Sequence, residues 1–481
     1  MRNYYPEQTV GILQVPIESV PLDPNCNEGV IHTLRGLQSI YSDKAICLSI
    51  LNLIKADASE HPDEVSGAKG LSLWEIFVLA TIRRSGRLTS YRKLAHLAST
   101  NIDLIGILGH GSIEGQKYSH STIQENVILV TPQTLDEINV IIANHAGQYV
   151  ENPFEKVRVD SFVFLANIHH HADYKSLEDG ARVLMREGKR LAKLTGQKGF
   201  RQASYLARDI KHQAYNITQK NRSTKTGKEV EVQKLYIKLL DSMDFIFDKI
   251  LDLLTNTKEY KGKNKAEHRK YEKLVSKLYF FLSGTAIEHE LAHRRIVLGE
   301  IIPSKEKIFS IFKPDTEIIS KGKIKAPHEY GHAVTIAESV SGIILKGERI
   351  ESGSKDSDIC IPFVRNLQKN FDKKILKIAF DKAYRTPDNA KEIAELIPSF
   401  YLPSKGKNAS MERTEEYYDL KHWRSGIESG INALEQGNNM AICRDKGLEG
   451  FDRCVAGSIV ARNLQTLGVI LLTKSKAKLT G

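Results

Sequence analysis

Three acidic residues, far apart in the chain, are of the type and setting that bind hard cations: Asp160, Asp381 and Glu428. Asp160 interrupts Lys156-Val157-Arg158-Val159-Asp160-Ser161-Phe162-Val163-Phe164-Leu165-Ala166, a β-branched and aromatic run that reads as a strand. Asp381 ends the largely apolar run from Lys374 to Phe380, and Glu428 sits in a helical stretch from Arg424 to Leu434. Cutting a phosphodiester without a covalent intermediate needs an activated water and a stabilised leaving oxygen. Two Mg2+ ions about 3.5–4 Å apart supply both. Mg2+ or Mn2+ prefers oxygen ligands and retains water, so a few carboxylates suffice. Arg424 stands four residues before Glu428, on the same face of a continuous helix, where a guanidinium can hold a phosphate. Taken singly these residues are ordinary. A strand-end Asp is usually a turn or cap residue, and an Arg–Glu pair at this spacing is usually a surface pair.

Two histidine patterns offer different chemistry. His289-Glu290-Leu291-Ala292-His293 has the H-E-x-x-H form of a helix carrying two zinc ligands and a general base, which would make a zinc metalloprotease. Arg294 and Arg295 follow at once and no clear third ligand accompanies it, Glu300 being only a candidate. His169-His170-His171 resembles a metal tract, but adjacent side chains of an extended chain point in alternating directions. No phosphate-cradling glycine loop occurs, so ATP use is not indicated.

The elements that must position these groups belong to a chain of 481 residues, 41% hydrophobic and 26% charged, which implies two or three domains of ordinary globular composition. No wholly apolar window of membrane-spanning length and no apolar run behind Met1 are found, so neither a span nor a signal peptide is expected. Five scattered cysteines, none spaced C-x-x-C, suit a reducing cytosol. The net charge of +11 is unevenly spread: residues 181–280 hold 24 Lys and Arg against 11 Asp and Glu, a surplus of 13, leaving the rest near neutral. Such a segment is either an electrostatic footprint for a polyanion or a solvated helical face.

Residues 1–25 read as an arm, and 29–146 are helical throughout, with Ser72 as an N-cap and Thr131-Pro132 between two helices. Tyr91 to Leu97 and Ile102 to Leu108, across Ser99-Thr100-Asn101, have the outline of a helix-turn-helix, although the second helix lacks the Arg, Asn and Gln that read base edges. Arg87, Arg92 and Lys93 are placed to touch phosphates there. Asn152-Pro153 marks a boundary before the strand of Asp160. A hairpin (332–338 with 343–350), a helix to Phe371, the strand ending at Asp381, a helix near 388–396, the helix of Glu428 and a final apolar helix from Val455 to Leu467 complete the pattern. The expected fold class is α/β, a mixed sheet flanked by helices. The strand of Asp160 would lie centrally beside the strand ending at Asp381. The domains expected are an all-helical N-terminal domain over 1–150 and a catalytic domain over 151–481, interrupted by a basic helical insertion over 176–300.

With these residues in view, the chain resembles bacterial insertion-sequence transposases of the DDE type, and is similar in particular to the group catalogued as not yet classified. The resemblance rests on Gly36-Leu37-Gln38-Ser39-Ile40-Tyr41, Leu73-Trp74-Glu75-Ile76-Phe77-Val78-Leu79, and Asp160-Ser161-Phe162-Val163 with Asn167-Ile168-His169 and Asp173. It continues through Arg294-Arg295-Ile296-Val297-Leu298-Gly299-Glu300, Lys307-Ile308-Phe309-Ser310-Ile311-Phe312, Ile318-Ile319-Ser320-Lys321-Gly322-Lys323 and Tyr330-Gly331-His332. It implies an RNase H-like catalytic domain in which Asp160, Asp381 and Glu428 are the first, second and third acids holding Mg2+ or Mn2+. It implies DNA transposition: cleavage at terminal inverted repeats, transfer of each 3′-OH into target DNA, a homodimer in the synaptic complex, and a nucleoid-associated place in the bacterial cytoplasm. Of the related pattern Y-x-x-R-x-x-x-E-x-x-x-x-x-x-K, Arg424 and Glu428 fit, whereas Lys421 replaces Tyr and Glu435 replaces Lys. Arg444 and Lys446 are then candidate substitutes for the lost DNA contacts. Asp381-Lys382-Ala383-Tyr384 replaces the more usual Asp-Arg-Gly-Tyr. An inactive or domesticated copy that only binds DNA is the alternative within the same resemblance.

Overall fold

Alternation along one strand decides how the sheet is covered. In β1 (Lys156–Ala166), Val157 and Val159 point into one apolar core, and Phe162 and Phe164 into another on the opposite face. Arg158 and Asp160 therefore share the face of the two phenylalanines. In the computed structural model, which describes residues 2–6, 15–59, 70–86, 88–111, 117–224, 226–320, 328–403 and 414–480, the chain divides into two units. One comprises Met1–Asn167 with Gly331–Gly481, the other Ile168–Tyr330.

Among the described residues the first part of the first unit holds the α-helices α1 (Gly29–Ser42), α2 (Lys44–Ser59), α3 (Leu73–Ile82), α4 (Tyr91–Thr100), α5 (Ile102–Ile107), α6 (His120–Val127) and α7 (Pro132–Gly147). Their starts follow the chemistry of the chain. Ser72 and Glu75 form a reciprocal capping box on α3, and Thr131 caps α7 with Pro132 in its first turn. Asn101 ends α4 and caps α5, its side chain accepting from the Leu104 amide. Asn3 and Tyr4 of the arm are tied down, their carbonyls accepting from the Leu73 and Trp74 amides at 3.0 Å each.

The second unit is a helical body of α8 (Asp173–Thr195), α9 (Ala203–Asn221), α10 (Lys228–Asn256) and α11 (Lys265–Ile296), followed by β2 (Glu317–Ser320). Its own core includes Leu184, Leu191, Leu239, Met243, Ile250 and Leu278. Gly180 lets α8 close on Thr285 of α11, since a Cβ there would meet the threonine side chain. The unit extends beyond the expected insertion over 176–300 at both ends.

Next come β3 (His328–Ser339), in the first unit from Gly331 on, then β4 (Ile344–Arg349), α12 (Asp356–Asn370), β5 (Lys377–Ala379), α13 (Pro387–Leu396), β6 (Ser399–Tyr401), α14 (Glu415–Ser425), α15 (Ile427–Gly437), β7 (Ile442–Cys443) and α16 (Gly447–Thr480). The sheet is mixed and seven-stranded, in the order β2-β3-β1-β5-β6, with β4 also on β3 and β7 also on β1. β1 runs antiparallel to β3 and parallel to β5 and β7. The α/β class and the central place of β1 beside the strand leading to Asp381 are as expected.

Two expectations are corrected. The helices before residue 150 are not a separate domain: Leu34, Trp74 and Ile138 share one core with Val157, Ile378 and Phe380 of the sheet. The reason lies in α16, which packs against both α1 and α7. Gly36 of α1 faces the Leu464 carbonyl and Gly468 of α16 faces the His32 carbonyl, so the two backbones approach closely only because both positions lack a Cβ. α16 is also longer than the expected 455–467. Its Gly447–Ala477 stretch contains an 18-residue window of mean hydropathy 1.5, long and apolar enough to cross a membrane, but 61% of that window is buried inside the fold. It is apolar because it threads two cores, contributing Val460 and Leu464 to one and Phe451 and Ile459 to the other.

Candidate active site

Sheet register carries Asp160 and Asp381 to the same level. β1 and β5 are parallel with Arg158 opposite Ala379. Two residues further along each lie Asp160 and Asp381, on neighbouring strand paths about 4.8 Å apart. Sheet pairing persists past β5, since the Phe380 amide donates to the Tyr401 carbonyl at 2.9 Å. Asp381 then opens the single 3-10 turn Lys382–Tyr384. No residue of that turn has a positive φ, so Ala383 fits without the glycine of the related pattern. Tyr384, fully buried, anchors the turn through a 2.7 Å hydrogen bond with the Thr335 hydroxyl.

A single cation sits between the two carboxylates. Arg424 Nη2 lies 2.7 Å from Asp160 Oδ2 and 3.7 Å from Asp381 Oδ1. Its position is set by the end of α14. Arg158 donates from Nη1 to the Trp423 carbonyl at 3.2 Å and from Nε to Glu338 Oε2 at 2.8 Å, and its guanidinium lies 5.1 Å from the Trp423 ring centre. A cation at a helix C-terminus is favourable, and Arg158 opposite Glu338 is a cross-strand ion pair in a buried setting.

The same arrangement breaks the helix expected over 424–434. Gly426 ends α14 and precedes α15, and a Cβ there would strike Arg158 Nη1. Arg424 and Glu428 therefore lie on different helices, and Arg424 faces the carboxylates instead of sharing an outward face with Glu428. α15 turns Ile427, Gly430 and Leu434 toward the sheet, Gly430 against Glu338, and leaves Glu428 exposed in its first turn. Among the described residues, Asp160, Asp381 and Glu428 do not draw together into a three-ligand set. The strands bring two of the expected acids together; the third stays on the surface.

Burial raises the Asp160 carboxyl above the ordinary Asp range. Arg424 and the Ser161 amide pull it back down, while the charges of Asp381 and Asp356 push it up again. The Ser161 amide donates to Asp160 Oδ1 at 2.8 Å. Asp356 is an acid that reading of the sequence passed over. It lies in the first turn of α12, and its Oδ1 is buried without a hydrogen-bond partner. An acid in a helix's first turn is so common that nothing in the sequence marks it out. The Arg158–Glu338 pair had a visible signal, since each charge interrupts an apolar strand.

Of the expected DNA contacts, Arg424 lies between the carboxylates, whereas Arg92, Lys93, Arg444 and Lys446 are on the surface. Arg92 and Lys93 are exposed in the first turn of α4. The helix-turn-helix outline yields a six-residue α5 whose Leu104, Ile105 and Ile107 are buried, so it serves packing. Arg87 lies outside the described residues, as do Lys321, Gly322 and Lys323. Arg444 and Lys446 are exposed just past β7, which pairs with Leu165 and Ala166 at the end of β1.

The H-E-x-x-H helix lies in α11 of the second unit. His289 Nε2 is 3.2 Å from both the Leu240 carbonyl and Asp244 Oδ1, and His293 is exposed. Among the described residues no third ligand joins them. Of the three consecutive histidines, His169 contacts Asp179 at 3.0 Å and His171 contacts Asp173 at 3.4 Å.

No family model, no curated protein and no solved structure matches this chain.

Proposed function

We propose that the protein is a DDE-type transposase with an RNase H-like catalytic sheet, cutting DNA at element ends and joining the 3′-OH to target DNA with Mg2+ or Mn2+. The observation that carries the reading is the pair of carboxylates, Asp160 on β1 and Asp381 just past the end of the parallel β5, sharing one guanidinium. Carboxylate oxygens that already converge on a cation form the hard donor set such ions prefer. An ion held there would activate the attacking water, or the 3′-OH of the cut DNA strand, and stabilise the departing oxygen.

The residues divide the remaining work. Asp160 and Asp381 hold the charge, Tyr384 fixes the turn that aims Asp381, and Arg158 fixes the end of α14. Arg424 neutralises the pair in the metal-free protein and is free to turn to a DNA phosphate once ions replace it. Glu428 is the third acid, brought in from the first turn of α15 when DNA and ions assemble. The surplus of 13 positive charges over 181–280 suits the second unit to gripping the phosphate backbone. A homodimer follows from the need to hold two element ends.

The test uses end-labelled duplex carrying the DNA that flanks the gene. The wild-type protein nicks at an inverted-repeat end only with Mg2+ or Mn2+, and Asp381→Asn binds the duplex equally but does not nick. Equal nicking by Asp381→Asn would refute the assignment. Binding without nicking by the wild type would leave a DNA-binding protein.

A further inference from the structure

The second unit contains a cluster outside the carboxylate pair. We propose that His171, Asp173 and Glu288 form a separate site for a first-row divalent metal ion, of which Zn2+ is the best fit. Each offers a ligand atom, all within 4.8 Å of one another, and they are the one group of this kind among the described residues. They come from distinct places in the chain: His171 just before α8 and Asp173 at its first residue, Glu288 from the C-terminal half of α11.

Glu288 supplies the independent sign of a ligand. Its side chain is 1% exposed, and Oε1 is buried with no hydrogen-bond partner. An unpartnered buried carboxylate oxygen costs about 1–3 kcal/mol or more, so it is rarely left without a reason. Glu288 lines a cavity of about 450 Å³ together with His171 and Asp173, and its carboxylate lies within 4.8 Å of the donor atoms of both. Buried His171 Nδ1 also has no partner.

One pair of donors already has the spacing of a tetrahedral site. Ligand bonds of about 2.0–2.2 Å place neighbouring donors roughly 3.4 Å apart, and His171 Nε2 already lies 3.4 Å from Asp173 Oδ1. Arg295 holds the other oxygen of Asp173, with Nε at 2.8 Å and Nη2 at 2.5 Å, leaving Oδ1 for the ion. That is the role of an outer-shell partner that orients a ligand. The edge of His171 packs on Phe309 at 5.6 Å between ring centres, which fixes its plane. One imidazole and two carboxylates suit Zn2+ better than Mg2+, which seldom takes nitrogen. Three protein ligands leave a fourth position open to the cavity, as in zinc sites that bind water or substrate.

The experiment uses the full-length chain, stripped with chelator, in an Asp381→Asn background that removes metal binding at the carboxylate pair. Zn2+ is titrated against a competing chromophoric chelator, and retained zinc is counted by mass spectrometry after dialysis. One zinc per chain is expected, with X-ray absorption showing nitrogen and oxygen neighbours only, one of them imidazole. Glu288→Gln and His171→Gln should each weaken binding by at least about 10–100-fold, whereas His293→Gln, on the exposed face of α11, should not. Helical circular dichroism equal to wild type certifies folding of the variants. No retained zinc, sulfur neighbours, or unchanged affinity in both folded variants would overturn the assignment. If neither variant folds, the wild-type absorption spectrum still decides it. Failure here leaves the carboxylate-pair reading untouched, since the two sites share no residue.

Discussion

Replacing Arg424 with Gln removes the cation that Asp160 and Asp381 share and leaves two carboxylates facing each other. At an effective dielectric of about 20, unit charges about 4 Å apart attract by roughly 4 kcal/mol. Desolvation opposes this, and the side chains of Arg424 and Asp160 remain 23% and 15% exposed. A net loss of about 2 kcal/mol is expected, a fall of at most roughly 1 M in urea midpoint, since the slope is about 2 kcal/mol/M for small proteins and grows with size. Both tryptophans, Trp74 and Trp423, belong to the first unit, so their fluorescence follows that unit alone. Millimolar Mn2+ should restore more stability to Arg424→Gln than to wild type, because the ion takes the guanidinium's place. Adding Asp160→Asn to the variant should recover most of the loss by removing the repulsion. An unchanged urea midpoint, or a Mn2+ effect of equal size in both proteins, would refute the reasoning.

Other expectations concern individual residues. Burial pushes the Asp136 carboxyl up to about 7, with Lys346 opposing and Glu348 and Asp452 reinforcing. Its folded value exceeds the unfolded one, so its contribution to stability is full below about pH 4 and is lost as pH rises through 7. Asp136→Asn should therefore stabilise the first unit at pH 8, by at most about 4 kcal/mol, and do nothing at pH 3.5, about half a unit below the unfolded value, as read by urea titration at both values. Gly430→Ala puts a methyl 2.6 Å from Glu338 Oε2, and Glu338 cannot yield while it holds Arg158. A loss of about 1–3 kcal/mol is expected, with nicking reduced in proportion to displaced α15, measured beside tryptophan fluorescence. Ser72→Ala removes the α3 cap and should cost about 1 kcal/mol in the same urea titration. Replacing Arg444 and Lys446 with Ala should weaken DNA binding on every sequence and reduce the salt slope by roughly one per residue, measured by anisotropy across ionic strengths.

Much of this arrangement was legible beforehand. The bounds of β1 are those of its β-branched run, because a strand buried on both faces must be apolar nearly throughout. The nearness of Asp381 to Asp160 followed from setting the strand that carries Asp160 beside the strand that ends at Asp381. What could not be read was the break at Gly426. Nothing local to 424–428 distinguishes a continuous helix from two, and the decision belongs to Arg158, some 260 residues earlier, whose guanidinium occupies the space a side chain would need. For the same reason the N-terminal helices looked like a domain of their own. Their partner is α16 at the far end, and helical periodicity shows that a face is apolar without showing what covers it. The His171–Asp173–Glu288 cluster was hidden twice, once beneath the more conspicuous histidine run and once beside the H-E-x-x-H motif one residue away.

The most direct measurement is anomalous diffraction from crystals of the protein soaked in Mn2+. A peak is expected between the carboxylates of Asp160 and Asp381, within about 2.2 Å of an oxygen from each, with the Arg424 guanidinium turned away. Crystals that show no manganese there at saturating concentration, with Arg424 still bridging the pair, would contradict the claim that these two carboxylates hold the catalytic ion.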